Sequence, residues 1–314
     1  MRYSGSHLRP NPPWISKRHR NGMLVIVGKH GVIARRLAQG AARNGVPLRF
    51  TSSRPSGNDL PLDLARPGGF AYEQLGTDSR VVLLGAISAP DRCREDPKRC
   101  RAVNVDGTIA FVDGALARGA RVLFASSDTV YGERHQVCDE RTTPRPLGDY
   151  AHMKSEVEAR FQHAERFKAL RLSYVFSRDD RFTAQLARCS ANGEEADVFA
   201  PLDRRVVHIE DVVESVLATF EFWQEVDSPC VNVGGERLYS RADIARTFQE
   251  LCAPSLHYRL RNPGVDFYRE RPRVIDMESR YLAVLLGRRP RNLREAMQLE
   301  FGSPTERGQV AHAR

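Results

Sequence analysis

Tyr150 and Lys154 stand four residues apart in the run Tyr150-Ala151-His152-Met153-Lys154. On an α-helix that spacing puts both side chains on one face. A phenol with the ordinary pKa of about 10 is a poor proton donor or acceptor at neutral pH. A nearby ammonium favours the phenolate and brings the phenol into range as a general acid or base. The pair alone is a common spacing. It gains meaning from residues 124–132, FASSDTVYG, which follow a strand-like run. Ser127 is expected at the carboxyl end of that strand, where a hydroxyl can bond the same substrate oxygen that Tyr150 protonates. Asp128 beside it is placed to orient a substrate, to assist proton transfer, or simply to cap the turn.

A second constellation lies at residues 23–34, MLVIVGKHGVIA. Here a short apolar run ends at Gly28, Gly31 follows three residues later, and the small Ala34 three later again. The first glycine allows a tight turn, the second lets backbone approach a pyrophosphate, and a small third residue lets the helix pack closely. Gly28, Lys29 and Gly31 form the loop, and the helix start at Val32 and Ile33 offers free N–H groups to phosphates. At the end of the second strand, Thr51-Ser52-Ser53-Arg54 has no carboxylate for ribose hydroxyls. Ser53 and Arg54 can instead hold a 2′-phosphate, so NADP is expected in preference to NAD. Asp63 is a candidate acceptor for the adenine amino group.

The elements that must carry these residues alternate in type. Apolar runs at 23–27, 48–52, 81–84, 121–125 and 169–174 predict strands. Helical periods cover 31–42, 97–116 and 148–166. This alternation predicts an α/β fold of the Rossmann type, a doubly wound parallel sheet, with a smaller C-terminal α/β substrate-binding lobe. We expect a basic, disordered arm at 1–22, a dinucleotide-binding domain at 23–175, a mixed lobe at 176–304 with some chain crossing back to the sheet, and a tail at 305–314. In the lobe, strands are expected at 198–200, 206–209 and 230–233, and helices near 210–224, 240–252 and 278–286.

Composition narrows the class. The net charge is +9, and eleven Lys or Arg precede Asp59, the first acidic residue. Much of that charge sits in the Pro-containing arm, where a bland basic tail is favoured over nucleic-acid binding. No apolar run is long enough for a membrane span. Six cysteines without paired spacing predict reduced thiols, no metal site and a cytoplasmic protein.

The ordered series of motifs resembles the extended short-chain dehydrogenase/reductase family, in its NAD-dependent epimerase/dehydratase group. Within that group it is most similar to the dTDP-4-dehydrorhamnose reductase branch and its nucleotide-sugar relatives. The resemblance runs over about residues 23–300. GKHG resembles the branch's glycine motif, EDPKRCRAVNVDGT its E-x-x-P…N-V-x-G-T helix, and ASSDTVYG its strand end. PLGDYAHMKSEVE resembles the P-x-x-x-Y-x-x-x-K-x-x-x-E helix, and VVHIEDVVESV, VNVGGERLYS and RPRVIDMES match later stretches. The resemblance implies catalytic roles for Ser127, Tyr150 and Lys154, with Lys154 also on the cofactor ribose. It implies a cofactor wall at Gly85 and Ala86, substrate contacts at Ser88, and phosphate-binding arginines at Arg204 and Arg271. It also implies a nucleotide-sugar substrate and a homodimer formed through the helices at 97–116 and 148–166.

The departures carry information. Thr129 follows Asp128 where the family's sugar dehydratases have a glutamate base, which disfavours dehydration. Arg271-Pro272-Arg273-Val274 replaces R-P-G-D. His208 falls at a position usually aromatic, so core packing is expected there. The leading expectation is a keto-sugar reductase. The alternatives are an epimerase with tightly bound NAD and, in another class, a non-catalytic NADP-binding regulatory subunit.

Overall fold

Leu24–Val27 (β1) is the four-residue run LVIV, and all four residues are buried. A strand apolar on both faces belongs in the middle of a covered parallel sheet, and β1 pairs in parallel with Leu48–Ser52 (β2) and Arg80–Leu83 (β4). The computed structural model describes residues 22–88 and 90–302; nearly all of the basic arm and the tail expected at 305–314 lie outside them. The central sheet is completed by Leu60–Pro61 (β3), Arg121–Ser127 (β5), Phe167–Leu172 (β6) and Cys230–Val233 (β7). Its order is β7-β6-β5-β4-β1-β2-β3, parallel throughout. The chain builds outward from β1 to β3, then crosses back to β4 and builds the other way. That reversal leaves a crevice beyond the carboxyl ends of β1 and β4, the position where open α/β sheets bind ligands.

Alternate residues of β1 feed two cores. Leu24 and Ile26 pack with Leu37, Val213 and Leu282 on one face. Val25 and Val27 pack with Phe111, Phe124 and Val157 on the other, as the two-residue period of a strand requires. The first face is covered by Val32–Arg43 (α1) and by Ile209–Glu221. The second is covered by Thr108–Ala117 (α2) and Asp149–Phe161 (α3). Between β6 and β7 the chain makes a long excursion with its own core of Phe176, Leu186, Val198, Ile244, Phe248 and Met297. Short strands Asp203–Arg205, Leu238–Ser240 and Val274–Ile275 form a small sheet there. Among the described residues no helix is long and apolar enough to cross a membrane.

Two expectations are corrected, and one strand was not foreseen. β3 is an edge strand of two residues, too short to leave a periodic signal, and its proline is tolerated at the edge. The helix expected at 97–116 is not uniform: between Pro97–Arg101 and α2, the residues Ala102–Gly107 adopt wide π-type turns. Gly107 lies so close to the carbonyl of Leu64 that a Cβ would come within 1.5 Å of its oxygen. Thr108 Oγ1 bonds back to the carbonyl of Val103 at 3.0 Å. The widened turn aims the buried Asn104 at the backbone of Ile87, which it grips twice, at 2.8 and 2.9 Å. A π-bulge here therefore serves the crevice wall. The helix expected at 148–166 ends at Phe161, because the chain turns back there (Ala164 N to Phe161 O, 2.9 Å) to enter β6.

Candidate active site

The helix α3 starts at Gly148, whose φ of 86° and contact with Glu270 exclude a side chain; a Cβ would meet Glu270 at 2.8 Å. The first turn of α3 therefore presses against the segment around Glu270. One turn later Lys154 is 3% exposed and donates to the carbonyl of Ala125 at 2.6 Å. Its Nζ lies 4.3 Å from the centre of the Phe124 ring and 5.6 Å from that of Tyr150. The helix and β5 thus bring Tyr150 and Lys154 together as the spacing predicts.

The electrostatics differ from the expectation. Burial drives Lys154 down to about 7, against the charge of Glu158. Burial, followed by the charges of Cys93 and Asp128, pushes the Tyr150 phenol above its ordinary value. The expected lowering of Tyr150 by an ammonium is overturned in the cofactor-free protein. Lys154 is buried and Tyr150 half-buried where the cavities meet, and for each the loss of solvent favours the neutral form.

Ser127 closes β5 and caps the following turn, accepting from the Thr129 amide at 3.2 Å and its hydroxyl at 3.0 Å. Ser127 Oγ also donates to Asp128 Oδ1 at 3.2 Å. Asp128 is 4% exposed and takes a second bond from Ser173 at 2.9 Å. Arg204 Nε stands 3.4 Å from it. Burial raises the Asp128 carboxyl, while Arg204 and the hydrogen bonds from Ser173, Ser127 and Thr129 oppose the rise.

Three adjoining cavities run along the crevice. The widest, about 640 Å³, is lined by Gly28, Lys29, Gly31, Ser53, Arg54, Asp63, Gly85, Ala86 and Ser88, together with Arg99. The middle one, about 310 Å³, shares Gly31, Ala86 and Ser88 with it and adds Val32, Ile33, Ser126, Lys154 and Tyr150. The outer one, about 260 Å³, shares Tyr150 and adds Asp128, Arg204, Arg241, Glu270 and Arg271. Ser127 lines none of the three; its neighbours Ser126 and Asp128 line one each. Ser88, expected at the substrate, lines the wide and middle cavities but not the outer one.

The glycine loop fits a dinucleotide by a test internal to the chain. Gly28 is required by the fold itself, with φ of 103° and a virtual Cβ 2.7 Å from the Gly85 amide. Gly31 is not: its φ is −67°, and its virtual Cβ meets nothing closer than 3.6 Å. Nothing intramolecular excludes a side chain there, but a ligand backed against the start of α1 would. The helix start has neither a side-chain cap nor an acidic residue in its first turn, leaving its N–H groups for an anion. Lys29 is partly committed, bonding Asp59 at 2.6 Å and Ser56 at 3.0 Å. Asp63 takes the Ala65 amide at 3.0 Å and pairs with Arg66.

The outer cavity holds residues that the sequence reading missed. Arg241 opens the helix Arg241–Leu251 and stacks 4.3 Å from the Phe182 ring centre and 5.4 Å from that of Tyr174. A cation at a helix N-terminus opposes the helix dipole, and that anomaly was legible. Arg204, by contrast, is largely spent on protein. It donates to the carbonyls of Asp203, Pro272 and Arg273 at 2.7, 2.6 and 3.2 Å, holding the 271–273 segment over Asp128. Arg271 packs 4.6 Å from the Phe267 ring centre. His208 is a core residue, 1% exposed, with Nε2 3.1 Å from Glu300.

A doubly wound parallel sheet with a glycine loop at its switch point, and a Tyr–Lys helix beside it, defines the short-chain dehydrogenase/reductase class of dinucleotide-dependent proteins. The NAD dependent epimerase/dehydratase family model matches residues 24–234, and the chain belongs to that family. It is 31% identical over 182 residues to a dTDP-4-dehydrorhamnose reductase of Sinorhizobium fredii, covering 56% of this chain and 59% of the relative. It is 23% identical over 210 residues to UDP-glucuronic acid decarboxylase 3 of Arabidopsis thaliana, covering 61% and 60%. The chain thus spans about three fifths of the length of the curated relatives it matches. The fold is shared with MoeE5 in complex with UDP-glucose and NAD (TM-score 0.73, 23% identity, 89% of this chain and 97% of that one). It is also shared with UDP-glucuronic acid 4-epimerase from Bacillus cereus (TM-score 0.73, 16% identity, 93% and 100%).

Proposed function

We propose that the chain is an NADP-preferring reductase acting on a keto group of a nucleotide-linked sugar. The observation that carries this reading is the position of Tyr150, the one lining residue common to the middle and outer cavities. A dinucleotide laid along the wide and middle cavities would end at Tyr150, and a substrate among Arg204, Arg241 and Arg271 would meet it from the other side. When bound, the nicotinamide supplies the reducing equivalent. Tyr150 gives its proton to the carbonyl oxygen as that oxygen becomes an alkoxide. Ser127, once its hydroxyl turns from Asp128, polarises the same oxygen, and Lys154 contacts the ribose and returns a proton to Tyr150. Asp128 keeps Ser127 and Arg204 in place. The absence of a carboxylate at the end of β2, with Ser53 and Arg54 there instead, supports the 2′-phosphorylated cofactor.

The test is to identify by mass spectrometry any nucleotide that copurifies, then to screen NADPH and NADH against keto-sugar nucleotides. NADPH consumption with a keto-sugar is the expected result. Tightly held NAD, with no NADPH consumption, would replace this reading with the epimerase.

A further inference from the structure

Lys154 and Glu158 lie one turn apart on α3, a spacing at which an ammonium and a carboxylate commonly pair. They form no ion pair here. Glu158 is 7% exposed and is claimed by Arg171 of β6, whose Nη2 and Nε stand 2.6 and 3.0 Å from its Oε2 and whose Nε lies 3.3 Å from Oε1. Arg171 is pinned in turn. Its Nη1 donates to the Tyr131 hydroxyl at 2.8 Å, and its guanidinium stacks 4.9 Å from that ring's centre. The Tyr131 hydroxyl lies 2.9 Å from Asn232 Oδ1 and 2.8 Å from the carbonyl of Asp139. Arg171 lines none of the three cavities.

We propose that Arg171 is a positioning residue that sets the charge of Lys154: by occupying Glu158 with its rigid fork, it denies Lys154 the counter-ion on its own helix. A planar guanidinium can hold a carboxylate in this way where a lysine could not. The other groups around the Tyr150–Lys154 pair do not replace that counter-ion. β5 offers Lys154 the Ala125 carbonyl and the Phe124 ring. Asp180 lines the middle cavity but bonds the Tyr174 hydroxyl and the Phe182 and Thr183 amides. Asp128 and Cys93 bear on Tyr150 rather than on Lys154.

The role matters to turnover only through the part assigned to Lys154 above, so the test is made on the cofactor-free full chain. The chain has five lysines, few enough for the ε-carbon resonance of Lys154 to be assigned in ¹³C-lysine-labelled protein by its loss in Lys154→Arg. Its titration midpoint is then followed by NMR. Glu158→Gln, which keeps shape and hydrogen bonding, leaves Arg171 unneutralised and lowers the midpoint by about one pH unit. Arg171→Met frees the carboxylate and raises it by about as much. The double variant returns it toward wild type. A merely structural pair would produce no such opposed shifts. If Arg171→Met does not fold, Glu158→Gln decides alone. A midpoint unmoved by Glu158→Gln, or moved the same way by both substitutions, overturns the proposal. Neither outcome depends on whether the chain reduces a sugar.

Discussion

Lys154 donates to the carbonyl oxygen of Ala125 across 2.6 Å, so a charge-bearing side chain of the site is anchored by backbone rather than by a carboxylate. That arrangement makes the fold sensitive to pH. Lys154 is depressed to about 7 from an ordinary 10.5. Below the folded value both states carry the proton and the burial penalty is complete. Between about 7 and 10.5 the unfolded chain binds more protons, so stability rises with pH and the penalty fades. Lys154→Met should therefore gain stability relative to wild type at pH 6, compared with pH 9.5, by about 2–4 kcal/mol. Urea unfolding at the two pH values reads this difference; equal differences at both would show that Lys154 titrates as an exposed lysine does.

Tyr150→Phe removes a hydroxyl that no described residue engages by hydrogen bond, so the melting temperature should stay close to wild type. Turnover should fall about 10²–10⁴-fold, the usual contribution of a positioned proton donor. Steady-state kinetics with the substrate found by the screen would measure it. Retained turnover would remove Tyr150 from the chemistry.

The two loop glycines should respond differently to alanine. Gly28→Ala forces a side chain onto a φ of 103° and into the Gly85 amide, and should cost about 2 kcal/mol or more. Gly31→Ala meets no such obstacle and should melt near the wild-type temperature. It should nevertheless weaken dinucleotide binding at least about tenfold, because the methyl takes the space of the pyrophosphate. Calorimetric titration with NADP and NAD would show this; unchanged affinity would place the phosphates elsewhere.

Arg54→Ala probes the cofactor preference. The side chain is exposed at the end of β2, so stability should not change. Loss of a charge-assisted contact to a 2′-phosphate should weaken NADP binding about tenfold and leave NAD binding unaltered. Equal loss for both, or for neither, would withdraw the NADP preference.

Arg241→Met should raise the KM for a nucleotide-linked substrate about tenfold with little effect on kcat, since Arg241 lines the outer cavity and not the middle one that holds Lys154. A change in kcat alone would argue that Arg241 acts on the reacting carbon.

The local patterns were sufficient for the sheet, the glycine loop and the Tyr150–Lys154 face. Buried strands such as LVIV, the 3.6-residue period of α1 and the four-residue spacing on α3 are all short-range consequences of backbone geometry. They placed Gly28, Gly31, Ser53 and Arg54 along one crevice and Tyr150 beside Lys154; Gly85 and Ala86, which line the same crevice, came only from the family resemblance. What short-range pattern cannot carry is the environment of a charge, because burial depends on everything packed around it. Only the tertiary structure showed that Lys154 is buried against a backbone carbonyl with no carboxylate paired to it, and that Arg204 is consumed by carbonyls 68 and 69 residues away. The same holds for the π-turn at Asn104 and for the partner of Glu158. Each is decided by a contact between segments distant in the chain, where desolvation and geometry, not spacing, select the pair.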